Sequence, residues 1–145
     1  MSSYADTSFL VSLYGRDVNS RSAISLLKEH QPVLLVTPFV ETEFTSVVFA
    51  LAARPRGWTA SEARAMEENF VHDLQTGVWQ WEDFPFEIWA RARELARRHA
   101  PALGCRALEA LHVASALTLA ADDFYTFDHD QAKLARAVGL RVLGC

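Results

Sequence analysis

The run VLLV at residues 33–36 is the feature that most constrains the fold. It is apolar without alternation, as expected for a short strand covered on both faces. Thr37-Pro38 follows at once, a hydroxyl at the cap and a proline at the first helical position. Strand and helix therefore abut, which is the grammar of a parallel α/β sheet. The rest of the chain fits that grammar. SSYA reads as a first strand ending at Asp6, and Thr7 to Tyr14 as a helix. Residues 17–30 form a second helix, with Ala23, Leu26 and Leu27 at helical spacing, and Pro32 stops it. The helix after Pro38 should reach about Ala53. Thr59 with Glu62 makes a capping box for a polar helix that ends before Gly77. Val78 to Glu82 alternates as an edge strand. Phe86 to His99 is a basic helix, and Arg106 to Ala121 is apolar nearly all round, hence buried. Phe124 to Phe127 is a strand ending at Asp128. Gln131 to Val138 is a last helix closed by Gly139, before a final strand at 140–143. The expected fold is a single α/β domain over residues 1–145, with a central, mainly parallel sheet of four to five strands.

A chain of 145 residues with 50% hydrophobic and 22% charged residues can enclose a core and is unlike a disordered chain. No apolar run approaches a membrane span. The N-terminus lacks a basic start and Asp6 interrupts its apolar stretch, unlike a secretory signal. Only Cys105 and Cys145 occur, with no metal-type or redox spacing, which fits a reducing cytoplasm. The net charge of −4 argues against a protein relying on overall attraction to nucleic acid, although local patches still act.

Four acids stand where this reading puts a strand end or a buried helix: Asp6, Glu43, Glu109 and Asp128. Ligands in parallel sheets collect beyond the carboxyl ends of the strands. Clustered carboxylates repel one another, and a hard cation such as Mg²⁺ or Mn²⁺ relieves that cost. Each acid also has a bland explanation. Asp6 precedes a helix, and Asp128 precedes Gln131 in a capping pattern, so either can be an N-cap. Glu109 lies in a first helical turn, where the dipole favours any carboxylate, but it also heads a core-facing stripe with Val113, Ala116 and Ala120. Periodicity does not choose between Glu41 and Glu43. Thr7 and Thr126 either orient carboxylates or serve as ordinary cap and strand residues. Asp130 is either a fifth, outer carboxylate or, the preferred reading, a solvated helix-start acid, and His112 is read as a satisfied core or interface histidine in preference to a metal ligand.

In order, YADTSFLVSLY, TPFVETEF, EALHVASAL and YTFDHDQAKLA resemble the four motifs of the PIN-domain ribonucleases, in particular VapC-type toxins of toxin–antitoxin pairs. The resemblance spans essentially the whole chain. It implies a PIN-like three-layer α/β/α fold. A hydroxyl residue six positions ahead, Thr37, selects Glu43 over Glu41. Asp6, Glu43, Glu109 and Asp128 would then hold Mg²⁺ or Mn²⁺ for hydrolysis of RNA, leaving a 5′-phosphate. A homodimer and a small antitoxin protein are implied as partners, and no membrane. The chain departs from the family's pattern at Glu109, where aspartate is usual. The extra methylene moves the carboxylate outward by about one bond length, which bears on metal choice and activity.

Two other classes are weighed against this. A PIN-like module that binds RNA or a partner without cleaving is compatible with Glu109. A phosphotransfer receiver needs an acid pair after its first strand, and an aspartate-nucleophile phosphatase needs a second aspartate two positions on. Asp6-Thr7-Ser8 supplies neither. Arg91, Arg93, Arg97, Arg98 and Arg106 offer positive charge for phosphates, against a salt-bridged solvent face. Trp79, Trp81 and Trp89 offer base stacking, against core or interface packing.

Overall fold

A computed structural model describes residues 2–145. Among them are five strands: β1 (Ser2–Ala5), β2 (Val33–Val36), β3 (Gln80–Trp81), β4 (Asp123–Tyr125) and β5 (Arg141–Leu143). Seven helices connect them: α1 (Thr7–Tyr14), α2 (Ser20–His30), α3 (Pro38–Ala52), α4 (Ala60–Gln75), α5 (Glu87–Leu103), α6 (Ala107–Thr118) and α7 (His129–Ala137). The sheet runs β3-β2-β1-β4-β5 and every pairing is parallel. Helices α1, α3 and α4 pack together, as do α5, α6 and α7, giving the three-layer α/β/α arrangement.

Order and register explain where a site can form. The chain builds β1, β2 and β3 outward, then returns to lay β4 on the other side of β1, with Tyr4 opposite both Leu35 and Phe124. Strand order reverses at β1, which opens a crevice beyond the carboxyl ends of β1 and β4. Tyr4, Leu34, Val36, Phe124 and Tyr125 are buried, so the apolar runs are covered on both faces. Phe9 of α1 lies edge-on to Tyr125 (5.2 Å between centroids) and stacks on Phe127 (5.3 Å). These contacts seat the first turn of α1 over the end of β4. Phe44 stacks on Phe70 at 4.4 Å and ties α3 to α4. Each fully buried phenylalanine contributes about 2–3 kcal/mol.

Several boundaries differ from the expected ones, for local reasons. Val78 is not strand: its N–H donates to Asp73 O (2.9 Å), closing α4 around Gly77 at φ 77°. Residues 17–19 form a turn in which Asp17 Oδ1 accepts from Asn19 N–H (2.8 Å), so α2 starts at Ser20. Helix α5 continues through Pro101 to a left-handed Gly104. Helix α6 stops at Thr118 because Ala120 turns left-handed (φ 55°), which removes Ala120 from the helical stripe headed by Glu109. Helix α7 starts at His129 because Asp128 caps it, and it ends with Gly139 and Leu140 N–H bonding back to Arg136 and Ala135 carbonyls. No helix among the described residues is long and apolar enough to cross a membrane.

Candidate active site

Asp6 leaves β1 with its backbone N–H still paired to Tyr125 O (3.1 Å). Its side chain caps α1: Oδ1 accepts from Phe9 N–H (3.1 Å) and Ser8 Oγ (2.6 Å). Oδ2 accepts from Thr126 Oγ1 (2.6 Å). The residue is 3% exposed. Burial raises its pKa, although nearby His112 and the donors Ser8, Thr126 and Phe9 N–H all favour the anion.

Glu43 sits in the second turn of α3, whose start is set by Thr37 and Pro38. Its Oε1 accepts from Thr7 Oγ1 and pairs with His112 Nε2 at 2.6 Å. Burial alone would raise its pKa, but the hydrogen bond and charge of His112, with the Thr7 bond, outweigh it and lower the value. Glu41 lies on a separate, smaller groove with Leu74 and Trp81.

Glu109 closes the first turn of α6, where Oε2 accepts from Arg106 N–H (2.5 Å). Asp128 is the N-cap of α7, with Oδ1 accepting from Asp130 and Gln131 N–H (2.9 and 3.0 Å). The buried Gln131 amide donates to Glu109 O (3.0 Å). That bond holds the starts of α6 and α7 together, and with them Glu109 and Asp128.

Asp6, Glu43, Glu109 and Asp128 all line one cavity of about 760 Å³ beyond the ends of β1 and β4. Within it they divide. Carboxylate oxygens of Glu109, Asp128 and Asp130 lie within 4.8 Å of one another, while Asp6 and Glu43 stand outside that trio. Asp130 is solvated as expected and lies 3.6 Å from Lys133, yet it also belongs to the acid cluster. The capping readings of Asp6 and Asp128 hold as well; each cap uses only one oxygen of its carboxylate. The trio offers carboxylate oxygens alone, which suits a hard divalent cation and not a soft one.

Both threonines orient carboxylates: Thr7 bonds Glu43, and Thr126 bonds Asp6 while accepting from Asp128 N–H (2.9 Å). Sequence reasoning passed over Ser8, whose hydroxyl also accepts from Phe127 N–H (3.1 Å). It passed over the link from His112 to Glu43; the spacing of three residues from Glu109 on one helix was the available signal. It also missed the α1–α2 turn, which brings Asp17 and Asn19 to the cavity wall. Of the arginines considered, Arg106 lines the cavity. Arg97 pairs with Glu94, and Arg91 contacts Thr118 (3.4 Å), both on exposed surface. Trp79 donates to Tyr14 Oη (2.7 Å), a structural contact, and Trp81 and Trp89 are about half exposed.

No curated protein sequence matches the chain. Solved structures do, at low identity and high coverage. VapC20 of Mycobacterium tuberculosis, a sarcin-ricin loop cleaving toxin, is 22% identical with a TM-score of 0.70, covering 96% of both chains. FitAcB of Neisseria gonorrhoeae is 14% identical with a TM-score of 0.68, covering 97% of this chain and 96% of that one. VapBC2 of Rickettsia felis, bound to a DNA fragment from their promoter, is 14% identical with a TM-score of 0.65, covering 99% and 98%. The PIN domain model matches residues 3–137, nearly the whole chain, and this protein belongs to the PIN domain family.

Proposed function

We propose that this protein is a metal-dependent endoribonuclease, the VapC-type toxin of a type II toxin–antitoxin pair. The observation that carries the reading is the convergence of Asp6, Glu43, Glu109 and Asp128 on one cavity at the strand-order reversal. Membership of the PIN family and the likeness to VapC20, a toxin that cleaves the sarcin-ricin loop, support RNA as substrate. The likeness to FitAcB and VapBC2 supports a toxin–antitoxin setting with an antitoxin partner; a homodimer is what the family resemblance implies.

Glu109 and Asp128, with Asp130 beside them, would hold Mg²⁺ or Mn²⁺, and Asp6 and Glu43 would complete the acidic wall. Such an ion lowers the pKa of a bound water and polarises phosphoryl oxygens. The chain's own residues do the rest. Thr126 and Ser8 hold the Asp6 carboxylate against the end of the sheet. Thr7 and His112 fix Glu43. Arg106 at the rim attracts the phosphate backbone into a cavity that is otherwise negative. In the hydrolysis proposed, a water oxygen bonds to phosphorus, the bond to the 3′ oxygen breaks, and the product carries a 5′-phosphate.

Glu109 favours a second reading, a PIN module that binds RNA without cleaving it, because one of its oxygens is engaged by Arg106 N–H. Calorimetry with Mn²⁺ on folded protein freed of any partner, followed by incubation with cellular RNA plus Mg²⁺, separates the two. Binding weakened by both Asp6→Asn and Asp128→Asn, with chelator-sensitive cleavage, is the expected result. Binding of RNA without cleavage at any metal concentration favours the second reading. Absence of Mn²⁺ binding in the wild type counts against a nuclease site that is complete without RNA.

A further inference from the structure

His112 is the titratable group of the cavity whose place in the reaction the four acids do not explain. It lies one turn beyond Glu109 on α6 and is 4% exposed. Both of its ring nitrogens are engaged. Nε2 is 2.6 Å from Glu43 Oε1, and Nδ1 is 2.8 Å from the Tyr4 hydroxyl. Its ring is packed by Phe39 (4.6 Å between centroids) and by the edge of Tyr4 (5.8 Å). Tyr4 is itself immobilised in β1, fully buried and stacked on Phe124 at 5.4 Å. The imidazole therefore has one orientation. An ionised carboxylate only accepts, so Nε2 donates to Glu43; Nδ1 pairs with the Tyr4 hydroxyl, as acceptor in the neutral ring and as donor in the imidazolium. Thr7 Oγ1 donates to the same Glu43 oxygen. Oε2 of Glu43 accepts no hydrogen bond among the described residues.

Burying an imidazole and a phenol in an apolar layer is costly unless every polar atom is paired, and a phenylalanine or leucine fills such space without that cost. A chain of polar groups that runs from the second residue layer of a central strand to one carboxylate oxygen has its energetic return in fixing that carboxylate. We propose that His112, held by Tyr4, is a positioning residue for Glu43: with Thr7 it captures Oε1 and leaves Oε2 as the oxygen offered to the cavity. This rests on reading the cavity as the site of a metal-dependent nuclease. His112 is thus no cation ligand; it acts through Glu43.

The test is a double-mutant cycle on Mn²⁺ affinity, read by calorimetry on the full chain. His112→Phe and Glu43→Gln should each weaken binding about 10-fold, the size of effect seen when an outer partner of a metal ligand is removed. The double variant should be no weaker than Glu43→Gln alone, and His112→Gln, whose amide can still donate, should recover most of the loss. Equal losses from His112→Phe in the wild-type and Glu43→Gln backgrounds overturn the proposal, as does unchanged affinity in His112→Phe while Asp6→Asn weakens binding. That last pattern leaves the nuclease site standing. Nitrogen-15 NMR of the imidazole supplies an arm that needs neither metal nor a stable His112 variant. A slowly exchanging His112 Nε2–H resonance shifted by both Glu43→Gln and Tyr4→Phe supports the chain. No response to Glu43→Gln overturns it, and wild-type protein that binds no Mn²⁺ overturns the nuclease reading separately.

Discussion

Burial and hydrogen bonding push Asp6 and Glu43 in opposite directions. Asp6 has its pKa raised above the ordinary 3.8 by burial, so the folded state holds that proton longer than the unfolded chain. Without metal, its contribution to stability is greatest below that value and falls as pH rises through the folded-state pKa. Ionising Asp6 in the folded chain is therefore a cost, which a bound cation would relieve. Asp6→Asn keeps the Phe9 cap and should raise the metal-free melting temperature by roughly 3 °C, about 1 kcal/mol for a domain of this size, while abolishing the stabilisation by Mn²⁺. Thermal melts with and without the ion check this; a lower metal-free melting temperature means the Ser8 and Thr126 bonds outweigh the burial cost. Glu43 has the opposite sign. Its pKa lies below the ordinary 4.5, so its contribution is present above that value and is lost as pH falls through the folded-state pKa. A pH titration of stability from 7 to 3 should lose less in Glu43→Gln than in the wild type.

At the scale of elements, the site is held by the contacts that fix where α1, α6 and α7 begin. Gly144, just past β5, shows how tightly. Its φ of 108° is in the region that favours glycine, and a Cβ there would lie 2.3 Å from Thr126 O. Thr126 is the residue whose hydroxyl bridges Asp6 and the Asp128 N–H. Gly144→Ala should cost on the order of 1–3 kcal/mol of stability and weaken Mn²⁺ binding, though residue 144 touches no acid. Denaturation midpoints and calorimetry measure the two effects; unchanged metal affinity means the end of β5 is not coupled to the acids. Gln131 is the corresponding tie between α6 and α7. Gln131→Ala should loosen Asp128 relative to Glu109 and lower Mn²⁺ affinity several-fold, with the α7 cap at Asp128 still formed.

Across the whole molecule, charge is arranged against the total. A net charge of −4 is combined with an acidic cavity, so the proposed binding to RNA would rely on local cations such as Arg106 at the rim. Arg106→Gln should weaken RNA binding for all sequences alike and reduce the slope of log affinity against log salt by about one. Titrations at several salt concentrations read that slope; an unchanged slope places the phosphates elsewhere. The order of elements was legible in the sequence because each strand and helix is announced by a local signal. The unbroken VLLV run, the Thr37-Pro38 start and the Thr59–Glu62 box are local and need no partner. The same holds for Asp6, which follows β1 directly, and for Asp128, which caps α7 although β4 ends at Tyr125, short of the expected strand end at Phe127. What the chain could not announce was pairing across distance. His112 looked like a core residue because its partners, Tyr4 and Glu43, lie 108 and 69 positions away. Glu41 and Glu43 were equivalent by periodicity, and the packing of α3 against α1 with the contacts of Phe39 and Glu43 to His112 puts Glu43 on the cavity. Asp130 joined the acids because Gln131 draws α7 onto α6. Sequence determined the elements, their order and the positions of the acids, since these depend on neighbours along the chain. The tertiary structure decided which oxygens face one another, because hydrogen bonds and burial act between groups the chain brings together only by folding.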